Sequence, residues 1–355
     1  MRILQVMAGA EHGGAETAFV DMCVALYEAG EVIEVVTRAN DIRVPQLKAV
    51  GISVHILPFG GRFDVFTGWR LHKIIQKFKP DIVQSWMSRA SSKVPAWKAS
   101  MSVPRYLNVS RLGSPYKLKY FKSTDYFVGI TPEICEYVIK HGVGLDHTRH
   151  INNFAEVEAV EAEVKRSDYD TPDDAIVLLG LGRLHPDKAF DTLIQVVANM
   201  PGVYAWIAGE GPQRGELEAL VEKLNVQDRV KLLGWRTDRA ALLQACDVCT
   251  FISRDEGFGT VFVQAWAQGT PVVVCDADGP RQFVRHEEDG MMAPIDDAPA
   301  IQNCIQRLID DQDLRERLIQ NGRERYEAEF TKEKSLQAYL EFYHHIRERE
   351  GLVDA

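Results

Sequence analysis

The segment EGFGTVFVQA, which begins at Glu256, places a carboxylate and two glycines just before a predicted helix. Glycine has no Cβ, so Gly257 and Gly259 allow the backbone to come close to a ligand. A helix that begins near Thr260 directs its free N–H groups, among them those of Thr260 and Val261, toward an anion. This junction therefore predicts a phosphate-binding backbone beside a carboxylate.

The side chains around this junction indicate a ligand that carries hydroxyl groups as well as phosphate. Gln264 lies four residues after Thr260, on the same helix face, and leans back toward the helix N-terminus. Glu256 repels phosphate but accepts hydrogen bonds from hydroxyls. We also assign Phe258, between the two glycines, to the ligand-binding segment. An ordinary helix start with a capping acid is the alternative.

Two further loops follow predicted strands. GLGRLHPDKAFDTLI places Arg183 and Lys188 five residues apart before a helix, and a diphosphate suits a guanidinium beside an ammonium group. A solvated pair of charges is the alternative for this loop. The segment AGEGP contributes Gly209 to the predicted site.

The N-terminal segment AGAEHGGAET places Gly13 and Gly14 before a helix, with Glu16 in its first turn. Backbone at Gly13 and Gly14 is expected to approach an anion closely. The chain lacks the G-x-G-x-x-G pattern followed by an acid, and it lacks G-x-x-x-x-G-K-[ST]. Hydride-transfer enzymes and P-loop nucleotidases are therefore disfavoured.

Strands and helices alternate along the 355 residues, and 46% of these are apolar. This alternation predicts parallel sheets covered by helices on both faces. An acidic stretch over 155–174 separates two such series. We expect two doubly wound α/β domains, 1–160 and 175–330, with a C-terminal helix over 335–355 that packs back on the first.

The net charge of −10 argues against general nucleic-acid binding. No apolar run is long enough for a membrane-spanning helix. No secretory signal is recognised, so we expect a reducing compartment and six free cysteines. The pairs Cys246/Cys249 and Asp276/Asp278 lack further metal ligands at suitable spacing, and we predict no metal site.

These motifs together resemble the retaining glycosyltransferases of family four. The resemblance covers nearly the whole chain and is carried by GGAE, GRLHPDK, AGEGP, LLGW, EGFGTVFVQA, GTPVV and DGMMAP in this order. It implies the GT-B fold, in which two Rossmann-like domains face a central cleft. It also implies a nucleotide-sugar donor, such as a UDP-sugar or GDP-sugar, and retained anomeric configuration. We predict no cofactor.

The resemblance assigns Arg183 and Lys188 to the donor diphosphate, with Gly14 approaching from the other domain. It assigns Glu256 to the transferred sugar and the amides near Gly259 to the phosphates and sugar. Gln264 stands where many members carry a glutamate that binds ribose. Related enzymes often place a histidine near the reacting sugar. In this chain the corresponding regions contain Trp86 in one segment, and Ser110 and Arg111 in another. Gln282 stands near a position that is often acidic in these enzymes.

Because no histidine matches, Arg111 is predicted as a substitute that stabilises the charge of the leaving phosphate.

Residues 61–122 contain thirteen Lys/Arg and two acids, with aromatic residues between them. Such a surface suits an anionic membrane. A solvated face with core aromatics is the alternative.

We therefore expect a glycosyltransferase associated peripherally with the cytoplasmic face of the inner membrane, acting on a cell-envelope glycan or glycolipid of lipopolysaccharide type. Two enzymes of other classes remain alternatives: a nucleotide-sugar 2-epimerase, and a phosphorylase, which would need a pyridoxal lysine and a longer chain. A non-catalytic protein that binds nucleotide sugars is the third.

Overall fold

A computed structural model describes residues 1–11, 13–61, 64–157 and 159–352. The chain forms two compact units. The first contains Met1–Asn153 together with the chain from Lys332 onward, and the second contains Phe154–Thr331.

The first unit is a parallel sheet of seven strands within the described residues, in the order β3-β2-β1-β4-β5-β6-β7. Its strands are β1 (Arg2–Met7), β2 (Val32–Thr37), β3 (Ser53–Ile56), β4 (Ile82–Trp86), β5 (Leu107–Leu112), β6 (Tyr126–Gly129) and β7 (Thr148–His150). Its helices are α1 (Gly14–Glu28), α2 (Arg43–Ala49), α3 (Phe66–Phe78), α4 (Met87–Ser91), α5 (Pro132–Lys140) and, later in the chain, α13 (Lys332–Arg349).

The second unit has six parallel strands in its described part, in the order β10-β9-β8-β11-β12-β13. These are β8 (Ile176–Leu181), β9 (Val203–Ala208), β10 (Val230–Gly234), β11 (Val248–Phe251), β12 (Val272–Cys275) and β13 (Met291–Ala293). The helices are α6 (Phe190–Ala198), α7 (Arg214–Lys223), α8 (Arg239–Ala245), α9 (Thr260–Ala267), α10 (Pro280–Phe283), α11 (Ala298–Asp310) and α12 (Gln312–Glu329).

The apolar sequence of the central strands explains why both sheets are covered on two faces. In β8, Val177 to Leu181 are all buried, as expected for a parallel strand packed between helix layers. Both units are doubly wound α/β structures, and in each the strand order reverses once, at β1/β4 and at β8/β11. Ligands of such sheets bind beyond the carboxyl ends of the strands at this reversal.

The unit boundaries differ from the predicted ones. Residues 154–174 belong to the second unit, where the N–H of Ala155 donates to Phe330 O at 3.3 Å. The last helix begins at Lys332 and ends at Arg349, and the predicted end at 353–355 lies outside the described residues. In the first unit the Tyr343 hydroxyl of α13 donates to Gln84 Oε1.

None of the helices in the described ranges combines the length and apolar character that a membrane crossing requires. All six cysteines are free, and five of them are buried.

Candidate functional site

The site predicted from the sequence lies at the strand reversal of the second unit. Arg183 and Lys188 follow β8, and Glu256 follows β11, the neighbouring strand. Since both strands are parallel, these loops meet at the same edge of the sheet.

Lys188 and Glu256 form an ion pair between Nζ and Oε2, and both side chains are partly buried. The ammonium group also lies 5.7 Å from the centre of the Phe251 ring. A diphosphate that binds here must share Lys188 with Glu256, so the carboxylate affects how strongly this cation attracts phosphate.

Arg183 is exposed, and its guanidinium forms no ion pair within the part of the chain that the structure describes. An exposed guanidinium keeps its five N–H donors available to a ligand. Lys188 and Arg183 thus differ, because Lys188 is held in place by the protein and Arg183 is not.

The loop before α9 is built as a close-packed turn. Gly259 has φ +91°, and a Cβ there would lie 2.4 Å from a Phe251 ring carbon. Within the described ranges no side chain caps this helix N-terminus, so its first N–H groups have no side-chain acceptor there. The N–H of Gly279 donates to Glu256 O at 2.7 Å and fixes the start of the loop.

The residues predicted to bind donor around this loop fall into two groups. Gly257 is exposed, and Thr260, Val261 and Gln264 are half-buried. Phe258 is buried in an aromatic cluster with rings at 4.9–6.3 Å, so its side chain is a core group and only its backbone can face a ligand.

The glycine at position 209 is explained by protein packing. A Cβ on Gly209 would lie 1.8 Å from the backbone oxygen of Gly182, in the loop that carries Arg183. The Gly209 N–H donates to Gly234 O at 2.8 Å. Gly209 thus lets the loops after β8 and β9 pack together.

Three predicted site residues, Gly13, Gly14 and Arg111, lie in the first unit. Gly14 begins α1, and a Cβ there would meet no atom of the described residues within 4 Å. The preceding loop is held by Glu16, whose Oε1 accepts the Ala10 N–H at 2.6 Å. The protein itself therefore does not require glycine at position 14.

Arg111 is 1% exposed at the end of β5. Its guanidinium lies 4.1 Å from the Trp86 ring centre, and its Nη2 donates to Asn153 Oδ1. Burial lowers the pKa of Arg111, and the electrostatic interaction with Tyr339 opposes this. Its Nη1 finds no acceptor among the described residues. The predicted contact of Arg111 with a leaving phosphate stays a prediction.

The two aspartates of the D-x-D segment have protein partners. Asp276 Oδ1 accepts the Ile295 N–H at 3.0 Å, and Asp278 pairs with Arg281 at 3.0 Å. No group of three or more His, Cys, Asp or Glu suited to a metal ion is found in the described ranges.

Sequence reasoning missed Arg254, which lies two residues before Glu256 in the loop after β11. It binds Asp191 and Asp296, which are 63 and 42 residues away in the chain. A local motif gives no signal for such distant partners, so the role of Arg254 becomes visible only in the structure.

Comparison with known proteins assigns the family. The model for glycosyl transferases group 1 matches residues 161–325, and that for Glycosyltransferase Family 4 matches residues 12–159. The lipopolysaccharide core biosynthesis glycosyltransferase LpsE of Rhizobium meliloti is 36% identical over 93% of this chain and 95% of its own. The chain belongs to the family 4 glycosyltransferases. The predicted family and the predicted enzyme class are thus confirmed.

A second relative of this chain, the lipopolysaccharide core biosynthesis glycosyltransferase LpsD of Rhizobium meliloti, is 32% identical to it over 97% of this chain and 98% of LpsD. Among solved structures, Anabaena HepE in complex with UDP and glucose superposes with a TM-score of 0.78 at 20% identity, covering 96% of this chain and 99% of HepE. The glycosyltransferase WaaG, involved in lipopolysaccharide biosynthesis, superposes at 0.70 with 14% identity over 95% and 98% of the two chains. The predicted GT-B fold is confirmed.

Proposed function

We propose that this glycosyltransferase moves a sugar from a nucleotide-diphosphate donor to a lipopolysaccharide-type acceptor, with retention of anomeric configuration. The observation that carries the proposal is the meeting of Arg183, Lys188 and Glu256 at the β8/β11 reversal. Two cations match a diphosphate, and the carboxylate matches sugar hydroxyls.

The donor class is supported by the loop architecture around α9. An uncapped helix N-terminus beside two cations suits a phosphate group. HepE, which has the same fold, was solved with UDP and with glucose. We therefore propose a UDP-sugar or GDP-sugar as donor.

The acceptor class is supported by relatives. LpsE and LpsD both take part in lipopolysaccharide core biosynthesis according to their names, and both match this chain over nearly its full length. We infer a growing lipopolysaccharide core, or a closely related cell-envelope glycolipid, as acceptor.

The proposed chemistry breaks the bond between the anomeric carbon and the diphosphate oxygen. The bonding electrons pass to the diphosphate, and the acceptor oxygen bonds to the anomeric carbon from the same face. The acceptor proton passes to the departing phosphate oxygen. Arg183 and Lys188 stabilise the growing charge, and fixed groups of this kind contribute about 3–4 kcal/mol each in other enzymes.

No resident cofactor has a part in this scheme. The donor diphosphate supplies the leaving group, and the two side-chain cations take the place that a divalent ion occupies in other glycosyl-transfer sites. We thus propose a metal-independent reaction.

Helix α3 supports contact with a membrane. Its inner face, Leu71, Ile75 and Phe78, is buried. On its outer face Phe66 is 66% exposed and Trp69 is 56% exposed. These aromatic side chains precede three exposed cations, Arg70, Lys73 and Lys77.

This combination suits an anionic lipid surface, because aromatic side chains enter the interface and each nearby cation adds about 1 kcal/mol. The Lys73 ammonium lies 3.7 Å from the Trp69 ring centre, so charge and apolar surface are adjacent. We propose that this face holds the enzyme on the cytoplasmic side of the inner membrane.

The predicted basic region 61–122 is not uniform in the structure. Ten of its cations are exposed: Arg70, Lys73, Lys77, Lys79, Arg89, Lys98, Arg105, Lys117, Lys119 and Lys122. Arg111 and Phe121 are instead buried, and Arg62 and Phe63 lie outside the described residues. The membrane proposal is therefore restricted to α3 and the exposed cations.

A transfer assay tests the function. The purified protein is incubated with labelled UDP-sugars and GDP-sugars, with and without truncated lipopolysaccharide core. We expect label to enter the core from one donor, and the NMR coupling of the new anomeric proton to match that of the donor. Conversion of donor to its 2-epimer without acceptor would indicate the epimerase alternative. Donor binding without any turnover would indicate a binding protein.

A further inference from the structure

Arg254 connects the two loops that carry the proposed donor-binding side chains. Its backbone N–H donates to Asp187 O at 2.7 Å, and its Nη1 donates to Pro186 O at 2.6 Å. Both acceptors lie in the short turn that ends with Lys188. Arg254 itself is two residues before Glu256. One residue therefore joins the segment of Lys188 to that of Glu256.

The guanidinium binds Asp191, at the start of α6, through two parallel hydrogen bonds. Its Nη1 lies 2.9 Å from Oδ1 and its Nη2 2.8 Å from Oδ2. A planar fork of this kind fixes direction as well as distance, which an ammonium group cannot do. The same α6 follows directly after the Lys188 turn, so this fork fixes the other end of the turn.

The remaining donors of Arg254 are also used. The Nε lies 2.7 Å from Asp296 Oδ1, in the loop after β13, and Nη2 lies 3.1 Å from the Thr192 hydroxyl. That hydroxyl donates to Asp296 at 3.1 Å. All five N–H donors of the guanidinium thus have acceptors. The side chain has no donor left for a ligand.

We propose that Arg254 is a positioning residue of the donor site, which sets the placement of Lys188 relative to Glu256 through its fork with Asp191. This inference rests on the proposed donor site. Arg254 does not bind the donor in this scheme. Arg254 holds in place the turn that carries Lys188 and the loop that carries Glu256. These two side chains receive the donor.

Removing the fork is expected to leave the fold in place and to misplace the reacting groups. Partly exposed ion pairs contribute little to stability. A displacement of about 1 Å at reacting groups can cost about a hundredfold in rate. Arg254→Ala should therefore lower kcat/KM for the donor by about a hundredfold. The acceptor KM should stay unchanged.

The test compares Arg254→Ala, Arg254→Lys and Asp191→Asn with wild type in the transfer assay, with circular dichroism and Tm recorded for each. Arg323→Ala is the matched control, because Arg323 is exposed and pairs with Glu327 of the same helix, α12. We expect all three site variants to lose activity, lysine included, while the control does not. If Arg254→Ala fails to fold, the activity of Asp191→Asn provides the test.

Chemical rescue separates positioning from a general structural role. Low millimolar ethylguanidinium should restore part of the activity of Arg254→Ala and none of that of Arg183→Ala/Lys188→Ala. Wild-type activity of Arg254→Ala or Arg254→Lys, or loss of activity without any rescue, would overturn the inference. If the Arg183/Lys188 double variant were also fully active, the proposed donor site itself would be wrong.

Discussion

At the scale of single residues, the central feature is the shared use of Lys188. The ammonium group is paired with Glu256 by the protein, and the proposed donor requires it for phosphate. In the proposed site Glu256 therefore has two effects, since it is assigned to accept sugar hydroxyls and its charge weakens the attraction of Lys188 for an anion. These effects act on different parts of a nucleotide sugar and can be separated by experiment.

Glu256→Gln keeps the size of the side chain and removes its charge. We expect turnover to fall by about a hundredfold, the order seen when one oriented electrostatic group is lost from an active site. Affinity for UDP or GDP without sugar should stay the same or increase, because Lys188 is released for phosphate. Turnover in the transfer assay and calorimetric titration with the free nucleotide measure the two effects.

The control for this variant is Glu327→Gln, an exposed carboxylate on α12 that pairs with Arg323. It should change neither quantity. A Glu256→Gln enzyme that lost nucleotide binding in proportion to turnover would show that Glu256 does not act on the sugar.

The sequence places Arg183, Lys188 and Glu256 in loops after predicted strands, and the structure brings these loops to one edge of a parallel sheet, where ligands of such sheets bind. Their contact with a donor stays a prediction. The sequence does not predict which side chains are already used by the protein. Phe258 is a core residue, and Arg111 is surrounded by Trp86 and Asn153, contacts made by residues far apart in the chain. Long-range packing of this kind has no local pattern.

At the scale of elements, two glycines before helices have different physical roles. Gly259 has a left-handed φ of +91° and no room for a Cβ beside Phe251. Gly14 has open space at its Cβ and lies in the first turn of α1. Packing requires glycine at position 259, whereas the described protein atoms leave room for a side chain at position 14.

Gly259→Ala should therefore destabilise the protein, by about 1–3 kcal/mol, as expected for a strained backbone position. Gly14→Ala should leave the free energy of unfolding unchanged or increase it, by up to about 1 kcal/mol, because alanine favours helix. If donor phosphate approaches Gly14, the same variant should raise the donor KM. Urea unfolding and the transfer assay on both variants measure this.

Equal loss of stability in the two variants would contradict the assignment of Gly259 to packing and Gly14 to ligand approach. The sequence could not distinguish these glycines, since both occur in a loop before a helix. The difference depends on the Phe251 ring, which the chain brings to Gly259 from the preceding strand.

At the scale of the whole molecule, both sheets and their strand reversals follow from the alternation of apolar strands and amphipathic helices. The boundaries were harder to predict, because the acidic stretch 155–174 resembles a linker in composition. Its Ala155 nevertheless accepts the Tyr326 hydroxyl of α12 at 3.0 Å, and the segment belongs to the second unit.

The proposed membrane attachment also belongs to this scale. We expect the protein to sediment with vesicles of phosphatidylglycerol and phosphatidylethanolamine at low salt, and to be released as salt rises, because screening weakens surface attraction. Trp69→Ala should weaken sedimentation. Trp235→Ala is the control, because Trp235 is 67% exposed but lies in the second unit. Equal sedimentation of all three proteins would exclude α3 as the contact.

The most direct test of the account is donor binding by the Arg183→Ala/Lys188→Ala double variant, measured by calorimetric titration with the nucleotide sugar that the transfer assay identifies. The control is Lys223→Ala/Arg323→Ala, which removes the same charge from exposed positions of the second unit. Two charge-assisted hydrogen bonds contribute about 1.5–3 kcal/mol each, so the site variant should bind at least about a hundredfold more weakly, while the control binds as wild type. Equal affinity of the site variant and wild type would contradict the central claim that Arg183 and Lys188 hold the donor diphosphate.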